Sequence, residues 1–99
     1  MIVTLEDVLD TLRTHENELR RLGVSHAAVF GSDARREART DSDIDVLVDL
    51  DQNRSLGIFD YARLKIYINE LLDGSDVVNH RTLKPLLRDR ILRDAVYGF

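Results

Sequence analysis

Asp43 and Asp45 stand one residue apart at the head of an alternating apolar run, Ile44, Val46, Val48 and Leu50. On a strand, residues two apart share a face with Cα atoms ~6 to 7 Å apart. Their carboxylates therefore converge on one or two divalent cations, which take hard oxygen ligands. A pair of Mg²⁺ ions in such a site activates an attacking hydroxyl and stabilises a leaving pyrophosphate. Upstream, Gly31 and Ser32 follow the apolar run VSHAAVF, and Arg35 lies one helical turn further on. A glycine there lets the backbone approach a bulky anion, and the serine offers a hydroxyl and an N–H to phosphate oxygens. Alone, a Gly-Ser pair is most often a turn and an Asp-x-Asp an acidic sheet face. Their joint occurrence within residues 31–48 points to a triphosphate at the turn and metal at the aspartates.

These residues need a scaffold. The Thr4 hydroxyl can cap a first helix whose Leu5, Val8, Leu9, Leu12, Leu19 and Leu22 recur at helical spacing until Gly23 stops it. Residues 24–30 are short, apolar and bounded by glycines, which predicts a strand; His26 in its middle reads as a half-buried strand residue. Residues 34–38 can make little more than one helical turn, and Thr40, Asp41 and Ser42 form a polar turn. The next strand, 43–50, turns Ile44, Val46, Val48 and Leu50 to one face and Asp43, Asp45, Leu47 and Asp49 to the other. A charged loop, 51–55, leads to a helix over 57–72 that is apolar nearly all round, so part of it is expected to pack on another chain. Asp73-Gly74 turns into a brief strand, 75–79, and residues 82–96 read as a last helix with Pro85 in its first turn. The final Tyr97-Gly98-Phe99 reads as an aromatic tail too short for a core element.

Composition sets the outer bounds. Ninety-nine residues, 43% hydrophobic and 32% charged, make one globular domain, residues 1–99, with a single two-layer core. The absence of cysteine excludes disulfides and thiolate metal sites, and no apolar run is long enough for a membrane span, so the cytoplasm is the expected location. A net charge of −4 argues against nucleic acid as the main partner. Arg81, Lys84, Arg88, Arg90 and Arg93 crowd the last helix and read as a solvated face.

The combined pattern resembles the nucleotidyltransferase superfamily, and within it the minimal nucleotidyltransferase domains that act as antitoxins. Their signature G-S-x-A-R-G…S-D-x-D is matched at Gly31, Ser32, Ala34, Arg35, Ser42, Asp43 and Asp45. Asp76, on a later strand, stands where that family carries a third carboxylate, and the run from Ile91 to Val96 stands where its last helix closes. The resemblance implies an α+β, two-layer fold: a small mixed sheet of three or more strands with helices packed on one side. It implies ATP with two Mg²⁺ ions, Asp43, Asp45 and Asp76 as catalytic and metal-holding residues, and Gly31, Ser32 and Arg35 around the triphosphate. Asp76 would help activate the acceptor hydroxyl. In domains paired with a HEPN ribonuclease toxin, the acceptor is a toxin tyrosine, adenylylated and thereby silenced. Arg36 departs from the pattern, occupying a position where the family has glycine.

The expectation is therefore an antitoxin that transfers AMP from ATP to a tyrosine of a partner HEPN-type toxin, with assembly through the 57–72 helix. Two alternatives stand beside it: an antitoxin that neutralises by occlusion with an idle site, and a nucleotidyltransferase acting on a small molecule. The small-molecule reading lacks a second domain to hold its substrate.

Overall fold

The Thr4 hydroxyl accepts a hydrogen bond from the Asp7 N–H at 3.2 Å, capping α1, Leu5–Thr14. The structure is a computed structural model, and it describes residues 4–30, 44–72 and 74–99. The expected single first helix is two. His15, with φ −104° and ψ 17°, interrupts it before α2, Glu16–Arg21. Its imidazole Nδ1 lies 2.9 Å from the Thr11 carbonyl and its ring stands edge-on to Tyr67, so local side-chain bonding holds a break that the leucine spacing does not reveal.

Gly23 ends α2 as expected, at φ +106°, a conformation that L side chains rarely adopt. An added Cβ would also meet Leu56 Cδ1 at 2.6 Å. Gly23→Ala should therefore destabilise the fold by about 1–2 kcal/mol, the usual cost of a left-handed non-glycine residue, read as a lowered midpoint in urea. The loop after β2 is tied down: Asp51 N–H donates to the Gly23 carbonyl at 2.7 Å, and the Arg54 guanidinium donates to the carbonyls of Arg20 and Arg21 at the end of α2. A cation on those carbonyls favours the negative end of the helix dipole.

The strands are β1, Val24–Val29, β2, Ile44–Leu50, β3, Ser75–Asn79, and β4, Val96–Tyr97, in the order β3-β2-β1-β4. β2 pairs antiparallel with β1 and parallel with β3, and β4 pairs antiparallel with β1. A bulge between Val24 and His26 lets both Val24 and Ala27 face the core, despite their odd spacing. On that face Val24, Ala27, Val29, Ile44, Val46, Val48 and Val77 pack against leucines of α1 and α2 and against Leu64, Ile68 and Leu72 of α3, Ile58–Leu72.

The C-terminal segment corrects two expectations. The last helix is shorter: a 3₁₀ turn at His80–Thr82 precedes α4, Pro85–Asp94, because Leu83 and Lys84 are extended ahead of the proline. The supposed tail is an edge strand and a core plug. Gly98 N–H donates to the Ala27 carbonyl at 2.8 Å, the Gly98 carbonyl accepts from Arg13 Nε at 2.9 Å, and Phe99 packs on the core beneath the Arg20 guanidinium.

The other edge is closed by side chains. Ile44 N–H donates to the Gly74 carbonyl, so in the parallel ladder the even residues of β3 face β2 and the odd ones face outward. Of these outward groups, Ser75 N–H donates to Asn69 Oδ1 at 3.0 Å and the Val77 carbonyl accepts from the Tyr61 hydroxyl at 3.4 Å. Asn79 accepts from Arg81 N–H and the Thr82 hydroxyl. Filling edge positions this way blunts pairing with a foreign strand.

Candidate functional site

Alternation gives β2 a second face, opposite α1–α3, that carries Asp45, Leu47 and Asp49. In the parallel register Asp45 lies beside Asp76 of β3. Paired residues on adjacent strands point the same way and lie about 4.8 Å apart. The structure thus brings two of the sequence-predicted acids, 31 positions apart in the chain (76 less 45), side by side. Asp45 is half-buried and Asp76 exposed. Two adjacent carboxylates repel one another in the absence of a cation. As a donor set they fit a hard divalent ion such as Mg²⁺.

β1 ends at the same place. Phe30 N–H donates to the Asp45 carbonyl at 3.1 Å, so the chain leaves the sheet toward Gly31 from a point fastened to Asp45. Gly31, Ser32, Arg35, Arg36 and Asp43, with the helical turn at 34–38 and the polar turn at 40–42, lie outside the described residues. Among the described residues no group of three or more acids, histidines or cysteines is placed to hold a metal ion, and the described part of the site is the Asp45–Asp76 pair.

Tyr61 is a residue that sequence reasoning passed over. It approaches the outer edge of β3 from α3, and burial, with the negative charge of Asp76 adding to it, pushes its hydroxyl above the usual 10.0. Tyr67 and Tyr97 are raised likewise, first by burial and then by Glu18 and Asp49 respectively. The folded state thus favours the neutral phenols. The stability they contribute is complete below pH 10 and is lost as pH rises through their higher folded values. Ultraviolet titration should show all three phenols ionising above pH 10 in the folded protein, and Asp76→Asn should bring Tyr61 back toward that value.

His26, expected to be half-buried, is exposed. It opposes Asp49 across the ladder and stands edge-on to the Tyr97 ring at 6.3 Å. This trio occupies the far end of the second face: Asp49 is four residues, about 13 Å at strand rise, from Asp45, too far to share its ion.

Known proteins share this fold. The family model for polymerase beta nucleotidyltransferases matches residues 7–97. Protein adenylyltransferase MntA of Thermococcus cleftensis is 40% identical over 98 residues, with 97% of each chain covered. A solved structure of a candidate minimal nucleotidyltransferase, 42% identical, superposes with a TM-score of 0.69, covering 89% of this chain and 93% of that one. At 18% identity, the MNT antitoxin in complex with the tri-AMPylated HEPN toxin of Shewanella oneidensis shares the fold, with a TM-score of 0.62 over 92% of this chain and 71% of that one. With a mixed four-stranded sheet, helices packed on it and the family model spanning nearly its whole length, the chain belongs to the polymerase beta nucleotidyltransferase family.

Proposed function

We propose that this nucleotidyltransferase moves AMP from ATP to a tyrosine hydroxyl of a HEPN-type toxin and so acts as its antitoxin. The observation that carries the reading is the in-register pair Asp45–Asp76, set where β1 ends at Phe30, whose N–H donates to the Asp45 carbonyl. Gly31, Ser32 and Arg35 hold the triphosphate. Asp43, Asp45 and Asp76 would hold two Mg²⁺ ions, which when bound neutralise the phosphates and the departing charge. Asp76, the more exposed of the in-register pair, takes the proton from the acceptor hydroxyl. The phenolate oxygen bonds to the α-phosphorus as its bond to the bridging oxygen breaks, and pyrophosphate leaves.

The sheet divides the labour. Ile58, Phe59 and Ile66 of α3 are 79%, 81% and 60% exposed on the face away from the carboxylates. They suit assembly of the complex rather than delivery of an acceptor.

The test uses purified chain, ATP, Mg²⁺ and the product of the neighbouring gene. A gain of one or more AMP masses on a tyrosine of that protein is expected, and no gain would end the transferase reading. Survival of neutralisation in an Asp43→Ala, Asp45→Ala protein would favour occlusion over catalysis.

A further inference from the structure

α4 is anomalous. It is a ten-residue helix with Leu86, Leu87, Ile91 and Leu92 among its side chains, yet none of its residues is buried. Leu86 is 82% exposed and Leu87 48%. Isolated helices this short are marginal in water, and most helix stability comes from a packed apolar face. None of the α4 side chains joins the core under α1–α3.

Topology explains where it lies. β2, β3 and β4 all run parallel to one another, by their pairings in the order β3-β2-β1-β4. The crossover from β2 to β3 moves toward one edge of the sheet and the crossover from β3 to β4 moves back across it. Right-handed connections in opposite lateral directions put their helices on opposite faces. By that rule α4 falls on the sheet face opposite α3, the face that carries Asp45 and Asp76.

Its N-terminal half holds an apolar groove of about 440 Å³ lined by Lys84, Pro85, Leu86, Leu87 and Arg90. Five basic residues, Arg81, Lys84, Arg88, Arg90 and Arg93, fall within 81–93 against one acid, Asp89, in a chain whose net charge is −4. Among the described residues none of the five forms an ion pair; the ion pairs found lie within α1 and α2. An apolar floor with a cationic rim complements an apolar segment flanked by acids. Among the described residues that line it, the groove has no aromatic on which a base could stack, which favours protein over nucleic acid.

We propose that the α4 groove docks an apolar, acid-flanked segment of the acceptor protein and holds that protein over the carboxylate face. The inference rests on the protein-acceptor reading above. Leucines in the groove give the contact its area, and Lys84 and Arg90 set its orientation and its salt dependence.

Two variants test it, Leu86→Glu with Leu87→Glu, and Lys84→Glu with Arg90→Glu, against a control on α3, Phe59→Glu with Ile66→Glu. The probe is the product of the neighbouring gene, measured by titration calorimetry and by AMP transfer. Both α4 variants should weaken binding and kcat/KM toward that protein at least tenfold, keep the wild-type melting temperature and keep wild-type Mg-ATP binding. If the wild-type chain binds and modifies the protein and both α4 variants do so equally well, the docking assignment is wrong while the transferase reading stands. The docking assignment is equally wrong if only the α3 control loses binding, if the α4 variants dissolve a homodimer of the free chain, or if they abolish RNA binding and leave protein binding intact. Failure of the wild-type chain to bind or modify the protein removes the functional reading and the docking site together.

Discussion

The Asp76→Asn protein is expected to lose nucleotidyl transfer by roughly 10² to 10⁴-fold, the range for removing a positioned general base, while melting at or slightly above the wild-type temperature. Both halves follow from one geometry. Asp76 lies in register beside Asp45 on the adjacent strand and is exposed, so without a cation the two like charges repel. Removing one charge relieves a cross-strand like-charge contact of about 0.2–1 kcal/mol. A residue retained for folding would show the opposite sign. Asp45→Asn should abolish transfer too and weaken Mg²⁺-dependent ATP binding, because under the proposed function it would take a ligand from the ion. Paired measurements of turnover and of thermal midpoint with and without Mg²⁺ check the prediction. The midpoint of the wild type should rise on adding Mg²⁺ more than that of either variant, since an ion bound only by the folded state stabilises it. Equal activity in Asp76→Asn would remove this residue from the chemistry.

Leu64→Ala should be among the most damaging single changes to the fold, costing about 2–5 kcal/mol. Leu64 is fully buried, one turn before the fully buried Ile68, where α3 meets the sheet. The lost methyls leave a cavity between a helix and a sheet that cannot both close on it. Against a typical total of about 5–15 kcal/mol, that loss moves the thermal midpoint by roughly 8–40 °C in a domain of this size, at about 4–8 °C per kcal/mol. Ile66→Ala on the same helix, 60% exposed, should change stability by less than about 0.5 kcal/mol. Chemical denaturation of the two proteins side by side separates the packed stripe of α3 from its open one.

Much of this architecture was legible in the chain. The Thr4 cap, the stop at Gly23, the strand at 75–79 and the proline start of α4 are local, and the residues concerned act on neighbours three or four positions away. The alternation of β2 correctly turned Asp45 and Asp49 away from the core, because pleating fixes that choice residue by residue. Local pattern failed where distant groups compete. The break at His15 depends on a ring contact with Tyr67, and the order in the loop after β2 depends on Arg54 reaching the end of α2. The final residues read as a tail because two strand residues carry no periodicity; they become β4 only because β1 offers an open edge.

The same division holds at the site. Sequence by itself determined which residues are candidates for the chemistry: Gly31, Ser32, Arg35, Asp43 and Asp45 sit in one short stretch, and the spacing of the aspartates predicts a shared face. It also matched Asp76 to the third acid through family likeness. Only the tertiary structure decided that Asp76 stands next to Asp45, since strand register is fixed by burying Val46 and Val77 together on the other face. A slip of one residue would turn Asp76 into the core and bring Val77 out. The burial of those valines, rather than any attraction between the acids, is what holds the two carboxylates together.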